Sequence, residues 1–349
     1  MIEKIDIRTQ NIDEIINFCL SHNQPKFRAS QIWEWLWLKN VSSFDKMTSV
    51  SKNLRLLLSN YYIITNLKID GFQKSKDETI KYKMKLHDDL FVETVLIKSK
   101  DRLTACVSSQ VGCSLSCSFC ATGMLKLKRN LTTAEIYDQV YLMKKEAIKN
   151  FNKPLSNIVF MGMGEPLLNF KSLIESIQLI TNERGLGMSP KRITVSTAGI
   201  AKMIKKLGDK KVRFNLAISL HSASDIKRNS LMDINKKIPL LDLQESIKYF
   251  YDKTKTRVTY EYILINDIND TINDAENLVK LVKSTPSKVN LIEYNKVDGI
   301  AYKKSSQKNT ENFIKHLQEK NIIVNLRRSR GKDIDAACGQ LINKNELIR

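Results

Sequence analysis

The chain of 349 residues is short of acid: 37 Asp and Glu face 57 Lys and Arg, a net charge of +20. That balance points to a polyanionic partner, with nucleic acid the first candidate. Scattered lysine on a solvated surface would give the same total. Local excess at Lys202–Arg213 and Arg327–Lys332 favours the partner. Long apolar runs are also missing. The opening MIEKIDIRTQ has neither the apolar stretch of a secretory signal nor the Arg- and Ser-rich, acid-poor look of a transit peptide. The uncharged stretch Leu103–Leu125 is rich in Ser, Thr, Cys and Gly, which excludes it as a membrane span. The expectation is a soluble, cytoplasmic monomer with no membrane partner. Repeats and low-complexity segments are absent. Cysteine is sparse, six in all, and histidine sparser, four. In a reducing compartment, clustered cysteines serve as metal ligands or catalysts more readily than as structural disulfides.

The length and a 42% hydrophobic content suit one large domain and a small one. Residues 1–65 read as a helical accessory domain, because "IDEIINFCL" and "ASQIWEWLWLKN" carry apolar residues at helical spacing. Trp33 and Trp37, four apart, share a face, and Cys19 belongs to the apolar side of its helix. Residues 66–98 read as a linker and a hairpin that turns at His87–Asp89 and carries Glu93. Residues 99–337 alternate strand and helix. The strands are "LTACVSS", "NIVFMGM", "RITVST", "FNLAISL", "RVTYEYILI", "KVNLIEYN" and "IIVNLRR". Helices start near Thr132, Asn169, Gly199, Pro239, Thr271 and Lys308, with Thr132 and Glu135 spaced as a capping box. Residues 338–349 form a C-terminal segment that begins at Cys338. The alternation implies an α/β fold with a parallel sheet, open or closed into a barrel, and sites at the C-terminal ends of its strands.

Half of the cysteines lie in "CSLSCSFC", where Cys113, Cys117 and Cys120 are spaced CxxxCxxC after the first strand of the alternation. A zinc site wants four ligands, or three and water, and commonly includes His. No His lies between His87 and His221. A [4Fe–4S] cluster is held by Cys thiolates, and three of them leave one iron open. That iron can be chelated by the amino and carboxylate groups of S-adenosylmethionine. With Phe119 before the last cysteine, the loop resembles the radical S-adenosylmethionine signature. "VFMGMGEP", at the end of the second strand, resembles that family's methionine-binding edge, with Gly164 and Glu165 as the contacts.

Further stretches narrow the resemblance. "ETVLI", "CVSSQVGCSLSCSFCATG", "MGMGEPLLN", "SLH" and "DIDAACGQL" together resemble the bacterial radical S-adenosylmethionine RNA adenine-C2 methyltransferases of the RlmN type, whose Cfr-type relatives methylate C8. The likeness runs from about residue 25 to 342. It implies a partial (β/α)6 barrel with a small N-terminal helical domain, a candidate for gripping RNA. It implies a dual-specificity enzyme that methylates C2 of an adenosine in the peptidyl transferase region of 23S rRNA, and of the adenosine next to the anticodon in some tRNAs. Two molecules of S-adenosylmethionine are expected per turnover, with an external electron donor such as a flavodoxin system. Pro166 in "GEPLLN" favours C2 over C8. The alternative of another class is a zinc-containing RNA-binding protein that is not an enzyme.

The resemblance also distributes roles. C2 of adenine is electron-poor and cannot attack the methyl of S-adenosylmethionine directly, so Cys338 first takes the methyl group as S-methylcysteine. Glu93 is the implied proton acceptor; from pattern alone it is as well read as a strand carboxylate paired with Lys. Cys106, on the polar face of its strand with Thr104 and Ser108, is the implied partner of Cys338 in a transient disulfide. Gly164, Glu165, Ser196, Ser219, Leu220, His221 and Asn295 are the implied S-adenosylmethionine contacts, and Cys113, Cys117 and Cys120 the cluster ligands. Lys98, Asp233, Glu293 and Lys296 stand where the family commonly has proline.

Overall fold

The computed structural model describes residues 4–342. At the N-terminus, β1 (Ile5–Asp6) pairs in parallel with β2 (Tyr62–Ile63), which brings together the ends of a three-helix unit. Helix α1 (Ile12–Ser21) starts at a capping box formed by Asn11 and Glu14. Helix α2 (Phe27–Trp37) buries Ala29, Ile32, Leu36 and Trp37, and α3 (Lys52–Tyr61) buries Leu54 and Leu58. Cys19 is fully buried, as its place on the apolar side of α1 requires.

Strands β3 (Lys68–Lys74), β4 (Ile80–Lys85) and β5 (Phe91–Ser99) form an antiparallel meander, and the chain turns between β4 and β5 through the expected His87–Asp89. Strand β6 (Arg102–Cys106) runs antiparallel to β5 and opens the alternation. A short ladder, β7 (Gln110–Val111) with β8 (Arg129–Asn130), brackets the cysteine loop and the one-turn helix α4 (Ala121–Met124). The long helix α5 (Thr133–Phe151) begins at the Thr132–Glu135 capping box read from the sequence. There follow β9 (Asn157–Phe160), α6 (Phe170–Thr181), β10 (Ile193–Thr197), α7 (Ala201–Asp209) and β11 (Asn215–Ser219). Next come α8 (Asp225–Leu231), α9 (Leu240–Thr254), β12 (Val258–Leu264), α10 (Ile272–Val282), β13 (Ser287–Glu293), α11 (Gln307–Glu319) and β14 (Val324–Arg327).

The main sheet has the order β14-β13-β12-β11-β10-β9-β6-β5-β4-β3. Strands β6 and β9 to β14 all run parallel, giving six strand–helix units and a closing strand. Helices cover the sheet, and all seven residues of β12 are buried, Thr259 and Glu261 among them. The sheet curls until its two edges are linked by the segment after β14. Gly331 N–H donates to Asp77 (2.9 Å) and Ser75 Oγ donates to Asp333 (2.5 Å), which ties the β3–β4 turn to that segment. The result is a partial barrel. Among the described residues, no helix is long and apolar enough to cross a membrane.

Candidate active site

The cysteine loop is held by its own backbone. Cys113 N–H donates to Leu125 O (3.3 Å) and Cys120 N–H to Cys117 O (3.2 Å), while Ser118 N–H reaches Leu231 O on α8 (3.0 Å). Gly112 has φ +76°, and a Cβ there would lie 2.3 Å from Lys126 O, so only glycine lets the loop close. The three thiols face a pocket whose opposite wall is the ends of β9, β10, β11 and β12. Gly164, Glu165, Ser196, Ser219 and His221 line that wall. Burial pushes the Cys113 thiol up to about 11. Burial also raises Cys117, and the neighbouring Cys120 and Cys113 add to it. Three thiols so raised ionise together only against a positive centre.

Among the described residues, no three Cys, His, Asp or Glu side chains converge as ligands of a single ion do. A zinc knuckle brings its ligands to within about 2.0–2.3 Å of one point. In an iron–sulfur cubane each thiolate binds a different iron, so the sulfurs stand farther apart. Three thiols around a shared pocket fit a cluster held by three cysteines.

The glycines of "MGMGEP" line the pocket and also answer to packing. A Cβ on Gly162 would lie 2.7 Å from Ser108 Oγ and Val107 O, and one on Gly164 (φ +93°) 2.4 Å from Gln110 Cβ. Protein fills both spaces, so these glycines seat the end of β9 against the start of the cysteine loop. Glu165 is buried. Its Oε2 accepts from Ala198 N–H (2.8 Å) and its Oε1 from Leu167 N–H (3.0 Å), while its own N–H donates to Gln110 Oε1 (2.7 Å). Burial raises the Glu165 carboxyl; these backbone donors oppose the rise.

Ser196 and Ser219 hydroxyls meet at 3.3 Å across β10 and β11. His221 sits in the left-handed region (φ +58°), and its Nδ1 accepts from Ile263 N–H (3.1 Å), so the ring proton is on Nε2. Its ring meets Phe119 edge-on at 4.7 Å, which couples β11 to the cysteine loop. Burial, with Arg228 nearby, holds His221 down to about 3, so it is neutral. Leu220 faces the core and contributes its carbonyl, which accepts from Arg228. Asn295 is buried; its Nδ2 donates to Cys338 O (3.1 Å) and its Oδ1 has no partner among the described residues.

Cys338 lines the same pocket and, on its other side, a second cavity that contains Cys106. Cys338 is accessible through these openings, whereas Cys106 is 8% exposed. Burial pushes the Cys106 thiol up to about 12, the Cys338 thiol adds to this, and the guanidinium of Arg327 opposes it. Arg327 is held by Glu261 (3.1 Å). Glu93 lies outside both cavities. It is 1% exposed, 3.3 Å from the equally buried Lys81, and its Oε2 accepts from Ile342 N–H (2.8 Å). The Lys partner is the one the strand pattern offered as an alternative; the backbone partner was not foreseen.

Sequence reasoning missed Arg228. It is 1% exposed on the seven-residue α8, and it donates to Leu220 O (3.0 Å), Ala198 O (2.6 Å), Ser219 O (3.4 Å) and Asn235 Oδ1 (2.6 Å). It ties together the two strand ends that carry Ser196, Ser219 and His221. The available signal was an Arg in "SDIKRN", a polar, charged stretch that reads as surface.

Comparison with known proteins agrees with this architecture. Residues 107–282 match the radical SAM superfamily, and residues 5–64 match the ribosomal RNA large subunit methyltransferase N-terminal domain. The chain is 52% identical to a probable dual-specificity RNA methyltransferase RlmN of Flavobacterium psychrophilum, covering 98% of this chain and 99% of that one. It is 42% identical to the dual-specificity RNA methyltransferase RlmN of Geobacter sulfurreducens, covering 99% and 94%. The crystal structure of a radical SAM methyltransferase from Sphaerobacter thermophilus superposes with a TM-score of 0.90 at 36% identity, over 97% of this chain and 99% of that one. A three-thiol loop facing the strand ends of a partial barrel, in a chain so similar along its whole length, belongs to the RlmN family of radical S-adenosylmethionine RNA methyltransferases.

Proposed function

We propose that this enzyme methylates C2 of an adenosine in 23S rRNA and of the adenosine next to the anticodon in tRNA, through S-methylated Cys338. The observation that carries the reading is Cys338, accessible at the junction of the three-thiol pocket and the Cys106 cavity. Cys113, Cys117 and Cys120 would hold a [4Fe–4S] cluster, and Gly164, Glu165, Ser196, Ser219 to His221 and Asn295 would surround S-adenosylmethionine. With its open iron and an electron from an external donor, the cluster supplies reductive cleavage of S-adenosylmethionine to a deoxyadenosyl radical.

The residues of the chain do the rest. Cys338 displaces a methyl group from one S-adenosylmethionine; desolvation raises its thiol, and the nearby guanidinium of Arg327 opposes that rise. A second S-adenosylmethionine is consumed when hydrogen is taken from that methyl group, so two are used per turnover. The methyl carbon then adds to C2 while still bonded to the Cys338 sulfur. Glu93 accepts the C2 proton, which requires the Ile342 contact to open, because both carboxylate oxygens are engaged in the closed arrangement. Cys106 completes release: its thiolate bonds to the Cys338 sulfur as the bond from that sulfur to the methylene carbon breaks. The freed carbon takes a proton to become the product methyl, and the remaining unpaired electron would be passed back to the cluster. Pro166, at the start of a short turn beside the pocket, supports the C2 assignment through its resemblance to that branch.

Mass spectrometry of RNA from a deletion strain complemented with this gene tests the reading. The expected product is 2-methyladenosine in both RNAs; 8-methyladenosine, or none, would sink it. Cys338→Ala is expected to abolish RNA methylation while leaving about four irons per chain. Full activity in that variant would refute the S-methylcysteine route.

A further inference from the structure

Between the β3–β4 turn, one face of α11 and the loop after β14 lies a groove of about 780 Å³. It adjoins the Cys106–Cys338 cavity, since Arg328, Ser329 and Arg330 line both. The four carboxylates along the groove are already committed to protein donors. Asp77 accepts from Gly331 N–H and Thr79 N–H, and Asp333 from Ser75 Oγ and Lys76 N–H. Glu293 holds Lys304 and Lys332, and Glu311 accepts from Gln307. Arg328 and Arg330 are exposed, and neither side chain has a hydrogen-bond or ion-pair partner among the described residues. Five cations (Lys76, Lys304, Arg328, Arg330 and Lys332) line the groove against these four carboxylates, and the two free guanidinium groups stand at the mouth of the cysteine cavity.

We propose that this groove holds the sugar–phosphate backbone of the RNA substrate, with Arg328 and Arg330 on the phosphates that flank the adenosine offered to Cys338. This rests on the RNA-methyltransferase reading and adds to it the residues that position the strand. A base that reacts with a recessed thiol has to leave its stack. Phosphate contacts on either side fix the backbone of such a nucleotide without reading its sequence. Guanidinium groups suit the task, because their fork matches two phosphate oxygens at once. The loop that bears them is pinned at Gly331 and Asp333, so little ordering entropy is lost on binding.

The test compares full-length, cluster-loaded wild type with an R328Q/R330Q variant. The probes are an unmodified tRNA transcript and a transcript of the 23S peptidyl transferase region. On the transcript that wild type binds more tightly, the variant's Kd is expected to rise about tenfold at about 0.1 M salt. The slope of log affinity against log salt is expected to fall by about two. Methylation of Cys338 by S-adenosylmethionine without RNA is expected to stay at the wild-type rate. Unchanged Kd and slope overturn the proposal. Loss of RNA-free Cys338 methylation also overturns it, by making the arginines structural. An unchanged Kd with slower reduction by flavodoxin overturns it in favour of an acidic protein partner. Wild type that binds a transcript without methylating it counts against the function proposed above and leaves the binding comparison intact.

Discussion

Arg228 decides more of the pocket wall than any residue the motifs name. Its donors satisfy the carbonyls of Ala198, Ser219 and Leu220. Burial holds its guanidinium down to about 10, still charged at neutral pH. Arg228→Gln removes most of those donors and leaves buried carbonyls unpaired. The expected loss is roughly 3 kcal/mol in urea unfolding, together with weaker S-adenosylmethionine binding by calorimetry. A loss under about 1 kcal/mol would show that the strand ends hold themselves. His221 behaves similarly at this scale. Its neutral ring is spent on Ile263 and Phe119, so its value to the site is the link it makes between β11 and the cysteine loop.

The segment 331–342 is a strap that places Cys338, and it is tied almost entirely by side chains. Gln340 Nε2 donates to Lys296 O (2.8 Å), Thr122 Oγ1 to Leu341 O (2.7 Å) and Lys332 to Glu293 (2.7 Å). The Glu293 carboxylate and the Lys296 carbonyl thus help to anchor the strap. The pH response follows from three carboxylates. Burial would raise Glu293, but Lys332 and Lys304 outweigh it and hold the carboxyl below its usual range. Burial would likewise raise Asp77, and the Gly331 N–H, Thr79 and Ser75 outweigh it. The Ser75 hydroxyl and Lys76 N–H lower Asp333. Carboxyls depressed on folding stabilise fully above their unfolded values and lose that contribution as pH falls through the folded ones. The strap is therefore fully tied above about pH 4.3 and loosens below it. Hydrogen-exchange protection factors for residues 331–342 are expected to drop between pH 6 and pH 3, with those of β12 unchanged; a flat profile for the strap would disprove the mechanism.

At the scale of the whole molecule, the N-terminal unit is docked on the barrel by a buried ion pair. Arg8 is 3% exposed and meets Asp138 of α5 through both oxygens, at 2.7 and 3.0 Å. Asp138 also accepts from Leu67 N–H (3.0 Å), where the chain leaves the N-terminal unit. Beside this pair, Trp37 packs edge-on against Tyr137, whose hydroxyl donates to Trp37 O. Removing one member of a buried pair strands the other charge. Arg8→Met is expected to cost about 3–5 kcal/mol and to expose the junction near residue 65 to proteolysis. Wild-type resistance at that junction would mean that apolar packing alone holds the two parts together.

The sequence by itself determined whatever depends on near neighbours. The CxxxCxxC loop, the Thr132–Glu135 capping box, the hairpin turn and the strand–helix alternation all follow from spacing over a few residues. Helix α8 escaped because seven residues, one apolar member of which is exposed, leave no periodic signal. Tertiary structure alone decided which distant groups meet. Glu93 is engaged by Ile342, 249 positions away, and Cys106 shares a cavity with Cys338. Gly162 and Gly164 proved to be packing requirements, since what fills their missing Cβ positions comes from another strand end. Local pattern fixes backbone conformation, because its hydrogen bonds and side-chain faces close within a turn or two. The partner of a buried charge or thiol is chosen by how the sheet curls, which no short window of sequence contains.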